Sequence, residues 1–412
     1  MQMTENQSTP QPPKKINLRT PDVMDAVKAQ VECQYKSETV DRLRSTGRPL
    51  SANGLTIKLA KAFGFCYGVE RAIDLAYAAR KVFKEQNIYI LGEIIHNPEV
   101  NEQLHAMDIK FLSGKGKNAD IEELKEGDPV IIPAFGAEVK TMNMLREKGV
   151  IFVDTTCGDV MSVWRRVRQN ANEGVTSIIH GKAWHEETLA TSSRATENGK
   201  SHYLVVYNLA ETDYVCQYIR QGGLKSEFLE KFKGAYSEGF DPDIHLQAVG
   251  VANQTTMMRG ETEEVQRRVR QAILDRYGSQ EENKHFRFFD TICGATQERQ
   301  TALEDMLKDP LDLLLVIGGY NSSNTSHLAE MGEAILPTYF IRNASRIVSE
   351  DKIVHFDLHK NNEIETAQWL PKKENVIIGI TSGASCPNNL IEDVIKRLTQ
   401  LRGVKVEDLL PA

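Results

Sequence analysis

Phe63-Gly-Phe-Cys-Tyr-Gly-Val-Glu-Arg-Ala-Ile73 is the stretch on which the fold turns. Upstream, Leu55, Ile57 and Leu59 alternate with polar residues, the pattern of a strand. Downstream, Val69, Ile73, Ala76 and Val82 fall on one helical face. Cys66 therefore sits in a turn between strand and helix, flanked by Gly64 and Gly68. The layout recurs at Asp154-Thr-Thr-Cys-Gly158 and Asp290-Thr-Ile-Cys-Gly294. Each cysteine follows an apolar run and precedes a helical pattern. Strand, cysteine loop and helix, three times over, predict three similar lobes around one centre, although the periods are unequal.

Working outward, Ile88–Ile95 reads as a buried strand, ended by His96-Asn97-Pro98 with Pro98 placed to open a helix. Further strands are expected at 130–133, 150–153, 176–179, 204–207, 248–252, 286–289, 313–317, 338–341 and 376–380, mostly with helical patterns between them. That alternation means an α/β architecture with mainly parallel sheets. The expected division is an N-terminal extension over 1–50, disordered to about residue 20 and then helical from Thr20-Pro21, followed by three pseudo-symmetric α/β lobes. These span 51–150 with Cys66, 151–290 with Cys157 and 291–412 with Cys293. The charged, glycine-containing segment Gly222–His245 reads as an insertion or surface excursion.

The 412 residues are 41% hydrophobic, enough for sizeable cores, and the net charge is −7. An acidic chain argues against nucleic acid as the main partner, because phosphate neutralisation needs a basic surface. No apolar run approaches the roughly 20 residues that cross a bilayer, so no membrane partner is expected. Met1–Lys15 lacks the apolar segment of a secretion signal and is a poor transit peptide. Six cysteines stand at 33, 66, 157, 216, 293 and 386, none in a Cys-x-x-Cys pair. In a chain without a secretion signal they are expected to be reduced, and a metal site would have to be assembled from distant loops.

Cysteines at helix N-termini suit that task. A thiolate there is stabilised by exposed N–H groups and the helix dipole, and glycine neighbours allow close backbone approach to sulfur. Three such ligands satisfy three irons of a cubane iron–sulfur cluster and leave the fourth open to a substrate oxygen as a Lewis acid. The plainer reading, three small buried side chains, uses the same residues. Two loops also invite an anion. Strand 313–317 feeds Asn321-Ser-Ser-Asn-Thr-Ser-His327, and strand 376–380 feeds Thr381-Ser-Gly-Ala-Ser-Cys386, each ahead of a helix. Ordinary N-capping draws on the same residue types. Finally, His96, His185-Glu186-Glu187 and Asn253-Gln-Thr-Thr256 lie at strand ends, where open α/β sheets face their ligands. Glu186 reads there as a polar loop residue.

Gly64–Ala72, Glu93-Ile-Ile-His-Asn97, the three cysteines, Gln254-Thr-Thr256 and Asn321-Ser-Ser-Asn324 occur in an order that resembles the 4-hydroxy-3-methylbut-2-enyl diphosphate reductase (LytB) family, over about residues 55–401. The resemblance implies three α/β lobes around a [4Fe–4S] cluster held by Cys66, Cys157 and Cys293. It implies His96, His185, Thr255, Thr256, Ser322, Ser323, Asn324 and Ser385 as substrate-binding residues. Glu187 would be the proton source, with Thr255 beside it. The implied activity is reductive dehydroxylation of 4-hydroxy-3-methylbut-2-enyl diphosphate to isopentenyl and dimethylallyl diphosphate, the last step of the non-mevalonate isoprenoid pathway, with ferredoxin or flavodoxin as electron donor. Cys33, Cys216 and Cys386 match no ligand position.

One departure stands out. Pro133-Ala-Phe-Gly136 carries Phe135 where many bacterial members have histidine, so one phosphate contact is missing or replaced. With the long N-terminus, this resembles the plastid and cyanobacterial branch, and the absence of a convincing transit peptide favours a bacterial cytoplasm over a plastid stroma. Three rival readings stand beside it: another three-cysteine cluster enzyme, similar to quinolinate synthase; a non-catalytic iron–sulfur sensor using residues 1–50 as its partner surface; and a cluster-free nucleotide-binding α/β protein.

Overall fold

The structure, a computed structural model, describes residues 18–289 and 291–409; the expected disorder at the N-terminus falls largely, and Asp290 wholly, outside the described residues. Three sheets organise the chain. The largest has seven strands in the order Leu50–Ala52, Leu55–Leu59, Val376–Ser382, Leu313–Ile317, Thr338–Ile341, Lys352–Asp357 and Asn362–Ala367. Its four central strands are parallel, and antiparallel pairs close both edges. A four-stranded parallel sheet runs Ile109–Phe111, Ile88–Ile90, Pro129–Ile132, Ile151–Asp154. A second runs Phe286–Phe288, Val249–Asn253, Thr176–His180, Tyr203–Val206. The mixed α/β class with mostly parallel sheets is therefore what the periodicities predict.

The strand at the middle of the seven-stranded sheet is apolar on both faces, as a strand covered by helices on each side must be. Leu313, Leu314, Leu315, Val316 and Ile317 are all fully buried. The sheets cut the chain differently from the expected 51–150, 151–290 and 291–412 in two places. Leu55–Leu59 pairs in parallel with Val376–Ile380 and so joins the C-terminal sheet. Ile151–Asp154 completes the sheet begun by Ile88–Ile90. A parallel strand can take a partner hundreds of residues away, because its partner is reached through a crossover rather than a hairpin.

Some local readings change as well. Only Ile88–Ile90 of the run 88–95 is strand. Ile94 and Ile95 are buried as loop, held by Asn101, which accepts from the Ile94 N–H at 3.0 Å and donates to the Ile95 carbonyl at 2.9 Å. The segment 222–245 is no bare excursion. It forms helices Lys225–Lys231 and Pro242–His245, and buries Phe228, Phe232 and Phe240 against Leu204 and Tyr218. Its charged residues mask an aromatic core. The hairpin Lys352–Asp357/Asn362–Ala367 is an element that the sequence reading did not find.

The N-terminal arm is integral. Pro21 opens helix Pro21–Tyr35 after an extended Thr20, and Val27 and Tyr35 are buried with helix Tyr67–Val82. The Tyr77 hydroxyl donates to that of Tyr35 at 3.2 Å. The arm thus braces the helix whose first turn carries Cys66.

Candidate active site

Every loop singled out above leaves the C-terminal end of a strand. Cys66, Asn321–Asn324 and Ser385 follow strands of the seven-stranded sheet. His96, Phe135 and Cys157 follow strands of one small sheet; His185, Glu187, Thr255, Thr256 and Cys293 follow strands of the other. The three sheets aim these ends at one cleft with about 720 Å³ of empty space, and all the residues just named except Asn321 line it. Sequence reasoning did not single out Asp159, Val160 or Thr296, which also line it. Asp159, Val160 and Thr296 lie in the first turns after the two later cysteines, which was the available signal.

Each of the three cysteines is the N-cap residue of its helix: Cys66 of Tyr67–Val82, Cys157 of Gly158–Asn172, Cys293 of Gly294–Met306. The three helix N-termini bring their thiols to one cleft, where the Cys293 thiol bonds the Asp159 carboxyl. Burial pushes the Cys157 thiol up, opposed by the Asp159 and Val160 backbone N–H groups, and pushes the Cys293 thiol up to about 12. Buried thiols of this kind become thiolates when a bound cation offsets their charge. The cradle is tight: a Cβ on Gly68 would lie 2.5 Å from Cys157 Sγ and 3.9 Å from Cys66 Sγ. Three convergent soft donors, supported by backbone N–H groups and set against a glycine, fit an iron–sulfur cluster.

The opposite wall is a set of polar groups without protein partners. His96 Nε2, His185 Nε2, Ser323 Oγ and Asn324 Nδ2 are buried and make no hydrogen bond. A buried polar atom left unpaired costs about 1–3 kcal/mol, so four around one cleft point to a polar ligand. His185 Nδ1 accepts from the Glu187 N–H at 3.1 Å, which leaves Nε2 as the N–H donor of the neutral ring; burial and the nearby His96 and Lys182 lower its tendency to charge. Asn324 Oδ1 accepts from the Ala384 N–H at 2.9 Å, turning its NH₂ to the cleft. Ser322 Oγ accepts from the Thr325 N–H, and the Ser385 hydroxyl lies 3.3 Å from it and 3.2 Å from the His96 carbonyl. No Lys or Arg is among the described residues lining the cleft. Neutral donors and helix N-termini can hold a diphosphate without them.

Phe135 stacks on the His96 ring, centroids 4.8 Å apart and planes at 7°. It supports that imidazole rather than donating beside it. Glu186 stands closer to the site than a polar loop residue would: its Oε2 is 3.8 Å from His96 Nε2. Glu187 is almost completely buried between the thiols and the polar wall, and its carboxyl accepts from the Thr255 N–H at 2.6 Å. Burial dominates and raises its pKa to about 7, against the lowering effect of the Thr255 bonds. Thr256 Oγ1 is held by Gln254 Nε2 at 2.7 Å. Of the remaining cysteines, Cys216 and Cys386 are buried and Cys33 is exposed, all outside the cleft.

Fold and site together define a three-sheet α/β protein with a convergent three-thiol centre and a wall of buried polar atoms left without hydrogen bonds. Residues 57–399 match the family described as LytB protein, and the chain belongs to that family. It is 47% identical to the curated 4-hydroxy-3-methylbut-2-enyl diphosphate reductase of Gloeobacter violaceus over 92% of this chain and 90% of that protein. The reductase of Thermosynechococcus vestitus is also 47% identical, over 92% and 93%. A solved structure of (E)-4-hydroxy-3-methyl-but-2-enyl diphosphate reductase, the terminal enzyme of the non-mevalonate pathway, matches with a TM-score of 0.51 at 27% identity, over 84% of this chain and 99% of the other. The Plasmodium falciparum reductase shares the fold, with a TM-score of 0.60 at 22% identity over 84% and 89%. No helix among the described residues is long and apolar enough to cross a membrane.

Proposed function

We infer that this chain is a 4-hydroxy-3-methylbut-2-enyl diphosphate reductase. The allylic C–O bond breaks, two electrons and two protons are taken up, and water leaves with either isopentenyl or dimethylallyl diphosphate. Cys66, Cys157 and Cys293 would hold a [4Fe–4S] cluster, which when bound would supply the electrons one at a time. The observation that carries the reading is the cleft itself, which gathers three thiols, four buried polar atoms without a hydrogen bond and one almost completely buried carboxyl.

His185 Nε2, His96 Nε2, Ser322, Ser323, Asn324 and Ser385 receive the diphosphate, and that hold fixes which end of the substrate faces the sulfurs. Thr255 and Thr256 line the path between. Glu187 is the proton source. Its Oε1 is occupied by the Thr255 N–H, so the other oxygen carries the proton to the departing hydroxyl. A carboxyl kept protonated up to about pH 7 by burial is matched to that role. A soluble one-electron protein of the ferredoxin or flavodoxin kind serves as donor, and the cyanobacterial relatives support a bacterial cytoplasm as the setting.

Anaerobic protein with a chemically reduced viologen and the substrate tests this. Dye oxidation with both five-carbon diphosphates as products is expected. No turnover from protein with a full complement of iron and sulfide would overturn it.

A further inference from the structure

The carboxylate of Glu93 ties the two halves of the polar wall together. Glu93 and His96 belong to the loop after strand Ile88–Ile90, in a small sheet; Asn321 begins the loop after Leu313–Ile317, in the large one. Glu93 Oε2 lies 3.1 Å from His96 Nδ1 and 2.6 Å from Asn321 Nδ2. A carboxylate oxygen only accepts. It therefore takes the Nδ1–H of the imidazole and one N–H of the amide. Asn321 Nδ2 and His96 Nδ1 are 3.2 Å apart, two N–H groups side by side that converge on one acceptor and have no bond to give each other. With Nδ1–H committed, the ring is fixed with Nε2 turned to the cleft, buried and without a hydrogen bond, 3.8 Å from the Glu186 carboxylate; it donates to a diphosphate as the imidazolium, with both ring nitrogens protonated. Phe135 holds its face. On the other side Asn321 immediately precedes Ser322, Ser323 and Asn324. Gly319 closes the contact: a Cβ there would collide with the His96 carbonyl oxygen. Only glycine lets the two loops approach so closely.

We propose that Glu93 is a positioning residue, which orients His96 and at the same time locks the His96 loop to the Asn321–Asn324 loop, so that the diphosphate meets a preassembled rather than a collapsing set of donors. Glu93 does not line the cleft, and it acts through His96 and Asn321. The inference rests on the diphosphate reading above.

The test is steady-state kinetics of cluster-loaded enzyme. Glu93→Ala raises KM about tenfold, the equivalent of one lost charge-assisted hydrogen bond, while kcat stays within about twofold. The Ki of inorganic diphosphate weakens in parallel. Asn321→Ala, which removes the clasp from the opposite side, behaves the same way, and the double variant is no worse than the poorer single one. Glu93→Asp recovers part of the loss. Iron content matches the wild type throughout. If Glu93→Ala fails to fold, Asn321→Ala carries the test. Unchanged KM and Ki, additive effects in the double variant, or a loss confined to kcat would overturn the role of Glu93. A wild type that holds its iron yet does not reduce the substrate would instead overturn the function, and this inference with it.

Discussion

Glu187 accepts a 2.6 Å hydrogen bond from the Thr255 backbone N–H, joining the first turn of helix Glu186–Ala195 to the loop after strand Val249–Asn253. This bond leaves one carboxyl oxygen committed and the other available for a proton.

Glu187→Gln keeps the bond geometry and removes the acid. Turnover is expected to fall by about 10²–10⁴, the usual contribution of a positioned general acid, with iron and sulfide unchanged. An active Glu187→Gln enzyme would remove the residue from the mechanism.

The same group gives a pH dependence. Its folded-state pKa is raised from 4.5 to about 7, so the folded chain holds this proton more tightly than the unfolded one. The resulting stabilisation is fully present below about pH 4.5 and is lost as pH rises through about 7. Melting temperature against pH should therefore flatten over that window in Glu187→Gln relative to wild type. Wild-type kcat should fall above about pH 7, as the acid form is lost. A rate that rises steadily from pH 6 to 9 would contradict the assignment.

Gly68→Ala tests the thiol cradle. The added methyl would meet Cys157 Sγ at 2.5 Å and Cys157 Cβ at 3.3 Å, in a buried helix turn that cannot move far. The variant should keep its far-ultraviolet circular dichroism and lose most of its iron. Full iron occupancy would mean that the sulfurs can shift freely.

Phe135→Ala removes the ring stacked on His96. An aromatic pair of this kind contributes about 0.5–1.5 kcal/mol, so a KM increase of about two- to tenfold is expected with kcat nearly unchanged. An unaltered KM would show that the stack has no part in holding His96.

The cysteines outside the cleft should differ in reactivity. Cys33 is exposed, whereas Cys216 and Cys386 are buried with thiols pushed up by desolvation, Cys216 to about 12. Iodoacetamide at pH 8 should label cluster-loaded protein at Cys33, and Cys33→Ser should abolish that labelling. Modification of Cys386 would contradict its burial.

Much of this architecture could be read locally. The switch from alternation at 55–59 to a helical period after Cys66 marked a strand, a turn and a helix, and Pro98 marked a helix start. Partner choice could not be read so. Nothing within Leu55–Leu59 says that it pairs with Val376–Ile380, because a parallel register is set by contacts far along the chain. The hairpin 352–367 escaped for a different reason. Its second strand is mostly solvent-exposed, so little hydrophobic alternation betrays it. At the site, residue types and strand-end positions flagged the thiols, His96, His185, Glu187 and the serine–asparagine loops. Glu93 and Asp159 were marked only by position, one beside His96 and one in the first turn after Cys157, and an acid in such a place is ordinarily a solvated or capping residue.

The most direct measurement is iron and acid-labile sulfide per chain in anaerobically prepared protein, wild type beside cysteine-to-serine variants. Wild type should hold about four of each, as a cubane requires. Changing Cys66, Cys157 or Cys293 singly should strip most of both, and changing Cys33, Cys216 and Cys386 together should leave both intact. A full cluster in Cys157→Ser, or its loss in the Cys33/Cys216/Cys386 triple variant with the fold retained, would contradict the three-thiol centre.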